Sequence, residues 1–351
     1  MKTWKPLVAL GLVLGVGAAV GVGIAGPAPS PMEAWKPKFD PKTAKYVMKV
    51  SAVSTPAIEA FAVGYKIRDA LWEKTNGQLY YDYYPLSQLG GEVEVLNQLT
   101  IGAVQGMLCS SVVAPKIGPR MGIINLPFLV NSFDKLDKFV KDKPLFDHML
   151  AGALDKGVMG VDVTTYGNYG WASDKPIRKI ADAKPLKFRI AEADVNQSIY
   201  KAWGFNIVPM PWPDVHIALK QGVIDALDHT AIVCNLTKKF EVAKYFTQID
   251  YAQGLLIHMY NKKFVDSLPK DIQKTLLDVT REECAKAREA GRKQEDAEIA
   301  KAKAAGIEFI KLPESEIATL RKQSQAVFRE WDDKIGVDYL KKVEALLGYK
   351  P

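Results

Sequence analysis

The chain has 351 residues, 48% of them hydrophobic and 25% charged, a balance that excludes a disordered protein and allows two domains, each with its own core. Its 47 Lys and Arg against 40 Asp and Glu leave a net charge of +7, but the cations are interleaved with acids and no basic block argues for a nucleic-acid partner. Three cysteines, Cys109, Cys234 and Cys284, have no CxxC spacing, which leaves room for at most one disulfide and no zinc framework.

In chain order, Lys2 and Lys5 precede an uncharged run over residues 7–25, closed by Gly26-Pro-Ala-Pro-Ser-Pro31. A positive start, an apolar centre and a small residue at Ala25 make the pattern of an export signal. The run also reaches the length of a membrane-spanning helix, so a retained N-terminal anchor over 1–25 is the alternative. Both readings place the body of the protein in the periplasm. Residues 26–43, rich in Pro and Lys, read as a flexible linker.

The fold is expected to begin with a strand at Lys45-Tyr-Val-Met-Lys-Val-Ser51. A helix over 57–76 follows, with Phe61, Tyr65, Ile67, Leu71 and Trp72 at helical spacing, then a strand over 78–84. The polar loop Pro85-Leu-Ser-Gln-Leu-Gly-Gly-Glu92 leads into a helix over 92–101 and a strand over 105–110. A helix over 132–154 completes this first half. A strand over 158–166 then runs into Gly167-Asn168-Tyr169-Gly170-Trp171 and reads as a crossing between two lobes.

The stretch 187–235 carries the candidate site. Three apolar runs, 188–191, 207–210 and 223–227, alternate with two helical patterns. The first helix starts with Asp194 as N-cap and stops at Gly204; the second has Pro213 in its first turn and stops at Gly222. This β-α-β-α-β order predicts parallel strands joined by right-handed crossovers, with a ligand beyond their carboxyl ends. Arg189, Trp212, Asp228 and His229 lie at those ends. A guanidinium, a large aromatic and an imidazole together suit an organic anion. Beyond 235 come a helix around Phe240, a strand over 254–260, a long helix over 269–305 with a single glycine, Gly291, a strand over 307–312 and a helix over 313–334.

Other chemistries find no motif. His148, His216, His229 and His258 show neither HxxxH nor HExxH spacing, so no metal is expected. Met107-Leu-Cys-Ser-Ser111 lacks the glycines of a nucleophile elbow, and no Walker or Rossmann fingerprint appears. No cofactor is expected.

Five segments carry a resemblance. They are Pro85-Leu-Ser-Gln-Leu-Gly-Gly-Glu92, Leu126-Pro-Phe-Leu129, Lys187-Phe-Arg-Ile190 with Trp203-Gly-Phe-Asn-Ile-Val-Pro-Met210, Ala218-Leu-Lys-Gln-Gly-Val-Ile-Asp225, and Asn261-Lys-Lys-Phe264 with Leu268-Pro-Lys-Asp-Ile-Gln273. In order and spacing they resemble the solute-binding proteins of tripartite ATP-independent periplasmic (TRAP) transporters, of the DctP type. The resemblance implies an α/β fold of two lobes closing on an organic acid, with crossover strands and a long helix spanning both. It assigns residues 44–165 plus about 250–290 to lobe I, and 166–249 plus about 291–351 to lobe II. It also implies a binding role without catalysis and delivery to membrane permease subunits.

Arg189 falls on the family's carboxylate-gripping arginine, and a planar fork of donors suits that task better than Lys. Trp212 falls where an aromatic residue covers the ligand. Glu92 lies near a loop where the family places hydroxyl-binding groups, although a carboxylate at a helix start also serves the dipole alone. The departures are informative. His229 replaces an asparagine that often touches ligand, and Asn168 or a neighbour stands where some members place a second arginine. With one cation missing and Tyr166, Tyr169, Trp171 and Trp212 at hand, the expected ligand is a monocarboxylate with an apolar or aromatic body. Two rivals remain open: a periplasmic enzyme using His229 and Asp228, and a membrane-tethered sensor.

Overall fold

The computed structural model describes residues 35–350, so the export-signal and anchor readings of residues 7–25 lie outside the described residues. Among the described residues no helix is long and apolar enough to cross a membrane. The body over 37–350 contains nine strands: β1 (Tyr46–Ser51), β2 (Leu79–Tyr84), β3 (Gly106–Ser110), β4 (Val158–Ser173), β5 (Lys187–Ile190), β6 (Asn206–Pro209), β7 (Ala226–Thr230), β8 (Tyr245–Asn261) and β9 (Glu308–Lys311).

They join in one sheet of order β2-β1-β3-β8-β4-β7-β5-β6, with β9 on the free side of β8. β1 pairs parallel with β2 and β3, and β5 pairs parallel with β6 and β7. Each set of parallel strands is a β-α-β unit whose helices cover the sheet, as the alternation of apolar runs and helical patterns requires. The two antiparallel strands β4 and β8, at 16 and 17 residues, run through both sets. Residues 256–260 of β8 pair with β3, whereas residues 245–248 pair with β9. Likewise residues 169–173 of β4 pair with β7. The α/β, two-lobe architecture is therefore held together by two strands that belong to both halves.

The helix Lys270–Ala304 backs this crossover. At 1.5 Å per residue it is about 50 Å long, and it packs on β4, on the helix Glu59–Lys74 and on the helix Ala231–Leu236. Gly291 lets it approach closely: a Cβ there would stand 2.7 Å from the Thr165 carbonyl oxygen. Arg288 adds a nearly buried ion pair to Asp162 of β4 at 2.7 Å.

Several expectations are corrected. The helix expected over 132–154 is two helices, Phe133–Lys141 and Lys143–Leu150. Asp142 between them has a non-helical ψ of 81° and caps the second helix through Leu145 N–H; Pro144 in the next turn has no N–H to continue the first. Asp194 is the first residue of its helix rather than its cap, and pairs with Lys116 at 3.6 Å. The helix expected around Phe240 is a single 3₁₀ turn, Lys239–Glu241. A further helix, Val337–Leu347, follows Gly336, whose φ of 102° breaks the run. The linker reading does not hold at its C-terminal end, because Phe39 stacks on Trp72 with ring centroids 4.1 Å apart. All three cysteines are buried and free.

Candidate functional site

The parallel strands of both halves end at one cavity. It is lined by Val53, Ser54 and Phe61 after β1, and by Glu92, Ser110 and Val112 around β3. From the other half come Arg189, Ala191, Asn196, Trp212, Asp228, His229 and Val233, while β4 contributes Tyr166 and Tyr169. Its volume is about 490 Å³, open solvent at its mouth included.

Arg189 is at the end of β5 and only 5% exposed. Its Nε and Nη2 donate to the Met210 carbonyl at 3.1 and 2.7 Å, which fixes the plane of the guanidinium and leaves the Nη1 side without a partner among the described residues. No carboxylate lies within ion-pair distance of it among the described residues. Burial pushes its pKa down, against the attraction of Tyr169, Asp228, Glu92 and Glu192. A buried cation held by one carbonyl is costly unless an anion joins it. Trp212 covers this group, with the Arg189 guanidinium 5.5 Å from its ring. The Lys239 ammonium is 4.4 Å from the same ring. Burial brings the Lys239 pKa down to about 8.

His229 is on β7, its ring 4.7 Å from that of Trp212. Its Nδ1 accepts from the Thr230 N–H at 2.9 Å, so in the neutral ring the proton is on Nε2. Burial, then Arg189 and Lys239, hold its pKa well below the usual imidazole value. The ring is a neutral hydrogen-bond donor.

Glu92 opens the helix Glu92–Ile101 and accepts the Ser110 N–H on Oε1 at 2.5 Å. The preceding loop reaches it through Leu86 and Ser87 at φ of 59° and 56°, and through Gly90 at 117°. Desolvation raises the Glu92 pKa, against its bonds to Ser110 and the charge of Arg189. Asp228 is more deeply placed, at 3% exposure. Its Oδ2 accepts from Asn196 Nδ2 at 2.9 Å and Tyr251 Oη at 2.8 Å. Burial brings its pKa up to about 7 despite those donors, Tyr200 and Arg189.

Of the residues expected at the site, Arg189, Trp212, His229, Tyr169 and Glu92 come together; Asn168 and Trp171 do not. The cause is a local irregularity of β4, whose register against β8 shifts between Thr165 and Asn168 and again before Gly170. Gly167 at that point has φ 100°. Strict alternation would put Tyr166 and Tyr169 on opposite faces. The extra residue puts both in the cavity, their hydroxyls 2.9 Å apart, and turns Asn168 away. Asn168 N and Nδ2 donate to Glu295 of the long helix at 2.6 and 3.2 Å, so it stands in the crossover rather than against a ligand. Trp171 lies farther along β4, completely buried beside Phe188, Trp203 and Phe205, with Nε1 donating to Tyr200 Oη at 2.9 Å. It is core.

Ser54, Phe61, Ser110 and Asn196 belong to no motif that points to the site. Ser110 ends β3 and Ser54 lies just beyond β1, so the strand-end rule that leads to Arg189 also applies to them.

The chain matches the model of the bacterial extracellular solute-binding proteins, family 7 (DctP), over residues 51–334. It is 27% identical to the C4-dicarboxylate-binding periplasmic protein DctP of Rhodobacter capsulatus, covering 85% of this chain and 90% of that protein. It is 28% identical to the 2,3-diketo-L-gulonate-binding periplasmic protein of Escherichia coli, covering 70% of this chain and 75% of that one. In fold it is similar to a TRAP periplasmic solute-binding protein of Shewanella oneidensis solved with bound succinate, with a TM-score of 0.81 at 22% identity over 86% of this chain and 99% of that one. The chain thus belongs to family 7 of the bacterial extracellular solute-binding proteins, the DctP family, which serves TRAP transporters by binding organic acids and not by transforming them.

Proposed function

We propose that this protein captures a monocarboxylate with an apolar or aromatic body in the periplasm and hands it to the membrane subunits of a TRAP permease. The observation that carries the reading is Arg189: a buried, pre-oriented guanidinium with no acidic partner within ion-pair distance, and the single cation in the lining among the described residues. One fork of donors matches one carboxylate. Phe61, Tyr166, Trp212 and Val233 offer the remaining wall to an apolar or aromatic body, and His229 Nε2–H offers a donor to a second oxygen. The two lobes would close over the ligand about β4, β8 and the long helix.

A dicarboxylate, as the name of the Rhodobacter capsulatus relative states for that protein, is the second reading. Lys239 favours it, because it is a buried ammonium on the same tryptophan that covers Arg189. Thermal melting against a panel of mono- and dicarboxylates separates the two. A ligand at about a hundredfold its Kd stabilises by about 2.7 kcal/mol, a shift of several degrees. Arg189→Ala and Arg189→Lys are expected to abolish the shift for every acid, the second because an ammonium cannot reproduce the fork. Retention of binding by Arg189→Ala would remove the assignment, and loss of binding in Lys239→Ala for dicarboxylates alone would select the second reading.

A further inference from the structure

Three polar atoms on residues lining the cavity have no hydrogen-bond partner although their residues are almost wholly buried: Asp228 Oδ1, Asn196 Oδ1 and Ser54 Oγ. Their residues are 3%, 1% and 4% exposed. Buried polar atoms are nearly always paired, so three around one cavity call for a common explanation. Two are carbonyl-type oxygens: that of Asn196 only accepts, that of Asp228 only accepts where the carboxyl is ionised, above its pKa of about 7, and the hydroxyl can do either. The other oxygen of Asp228 already holds Asn196 Nδ2 and Tyr251 Oη, which fixes the carboxyl plane and keeps Oδ1 from turning to a protein donor. Asn196 is held in turn by its own amide nitrogen on Asp228, so its carbonyl is equally constrained. Tyr166 and Tyr169 bond each other and one edge of Arg189 is held by Met210; Tyr200 also acts on Asp228, yet no donor reaches Oδ1.

We propose that the cavity selects a carboxylate that also carries a hydrogen-bond donor, a hydroxyl or an ammonium, placed against Asp228 Oδ1 and Asn196 Oδ1. This rests on the carboxylate reading of Arg189 and makes it more specific. The two ends of the site then differ in sense: Arg189 and His229 donate to the acid group, and Asp228 and Asn196 accept from a substituent on its skeleton. A ketone at that substituent faces acceptors with an acceptor. An unsubstituted acid leaves the oxygens unpaired. Sites built to receive a substrate donor reject analogues that lack it far more strongly than apolar pockets discriminate by size.

The test is isothermal titration of the protein at about pH 8.5, above the Asp228 pKa of about 7, with matched acids on three-carbon, branched five-carbon and phenyl-bearing skeletons, each as the unsubstituted, oxo, hydroxy and amino form, with substituents at carbons 2 and 3. The expected result is that on the skeleton that binds, a hydroxy or amino form is at least tenfold tighter than the oxo and unsubstituted forms; which of the two it is identifies the donor. Asp228→Asn is expected to reduce that preference to less than threefold. Because Asp228 is buried, Ser54→Ala is the second variant, and it is expected to narrow the same ratio in a protein that melts normally. Equal affinity for all four forms of a skeleton, or preference for the oxo form, overturns the inference and leaves the carboxylate assignment standing. Binding of none of the acids overturns that assignment, and this inference with it.

Discussion

His229 is where this chain departs from the asparagine its family resemblance implies, and the structure shows what an imidazole offers at that place. The Thr230 N–H takes up Nδ1 at 2.9 Å, so Nε2–H remains, fixed in direction like the N–H of a side-chain amide but at the end of a stiffer ring. Desolvation, with Arg189 and Lys239 nearby, keeps the ring neutral. Its folded pKa is depressed below that of the unfolded chain, so below about pH 6.5 the unfolded state binds the extra proton and stability falls as pH falls. The contribution is at most about 1.4 kcal/mol per pH unit. The expected outcome is that His229→Gln, which cannot titrate, has a shallower loss of stability below pH 6.5 in urea denaturation. Long-range proton–nitrogen spectra of the folded protein should show no titration of this ring between pH 5.5 and 8. A His229 resonance that moves with a midpoint near 6.5 would mean that the ring is open to water and is not the fixed donor described.

At the scale of elements, Gly291 sets the distance between the long helix and the crossover strand. Helix propensity alone predicts that Gly291→Ala gains about 1 kcal/mol. The Thr165 carbonyl oxygen, 2.7 Å from where the alanine Cβ would stand, predicts the opposite. Backbone cannot yield as a side-chain tip can, and overpacking of this kind costs about 1–3 kcal/mol. The variant should therefore melt lower than the parent, and a higher midpoint would show that the helix is free to lift off β4. The lone glycine is visible in the sequence, as is the helix around it, because composition marks a long solvated helix plainly. Its purpose is not, since that depends on which strand the helix meets. The same divide separates Arg189 from Asn168. Arg189 ends a strand whose direction and neighbours follow from its own β-α-β unit, so its place can be argued locally. Asn168 depends on a register shift against β8, where its partner Gln253 is 85 residues away, and no local pattern reports that shift. Trp171 shares the face of Tyr169 by alternation, yet how far along the strand the cavity ends is decided by pairing with β7. Pro144 does announce a helix break, but the amphipathic pattern on either side masks it.

For the whole molecule, the point of greatest interest is where β4, β8 and the long helix meet. Glu295 reaches from the helix to the irregular turn of β4, accepting from Asn168 N at 2.6 Å and from Asn168 Nδ2 at 3.2 Å. Gln253 of β8 ties in from the other strand, donating to Asn168 Oδ1 and accepting from Thr165 Oγ1 at 2.7 Å. Through Asn168, Glu295 and Gln253 thus link the long helix, β4 and β8. Glu295 is 7% exposed, and burial brings its pKa up to about 7, with Asp250 and Asp296 adding to the rise and the Asn168 bonds opposing it. Lys311 faces Asp250 and offsets part of that acidic charge. A folded-state pKa above the unfolded one means that the native state holds a proton the unfolded chain has released. Stability is therefore fully present below about pH 4.5 and is lost as pH rises towards 7, by up to about 3 kcal/mol for this group. The expected outcome is that Glu295→Gln loses this part of the pH dependence: the difference in unfolding free energy between variant and parent should grow in the variant's favour from pH 4.5 to 7 and then level off. Equilibrium denaturation at half-unit steps of pH measures it. A difference that stays constant over that window would place Glu295 among ordinary ionised carboxylates, and the crossover would then carry a full negative charge at every pH at which the protein works.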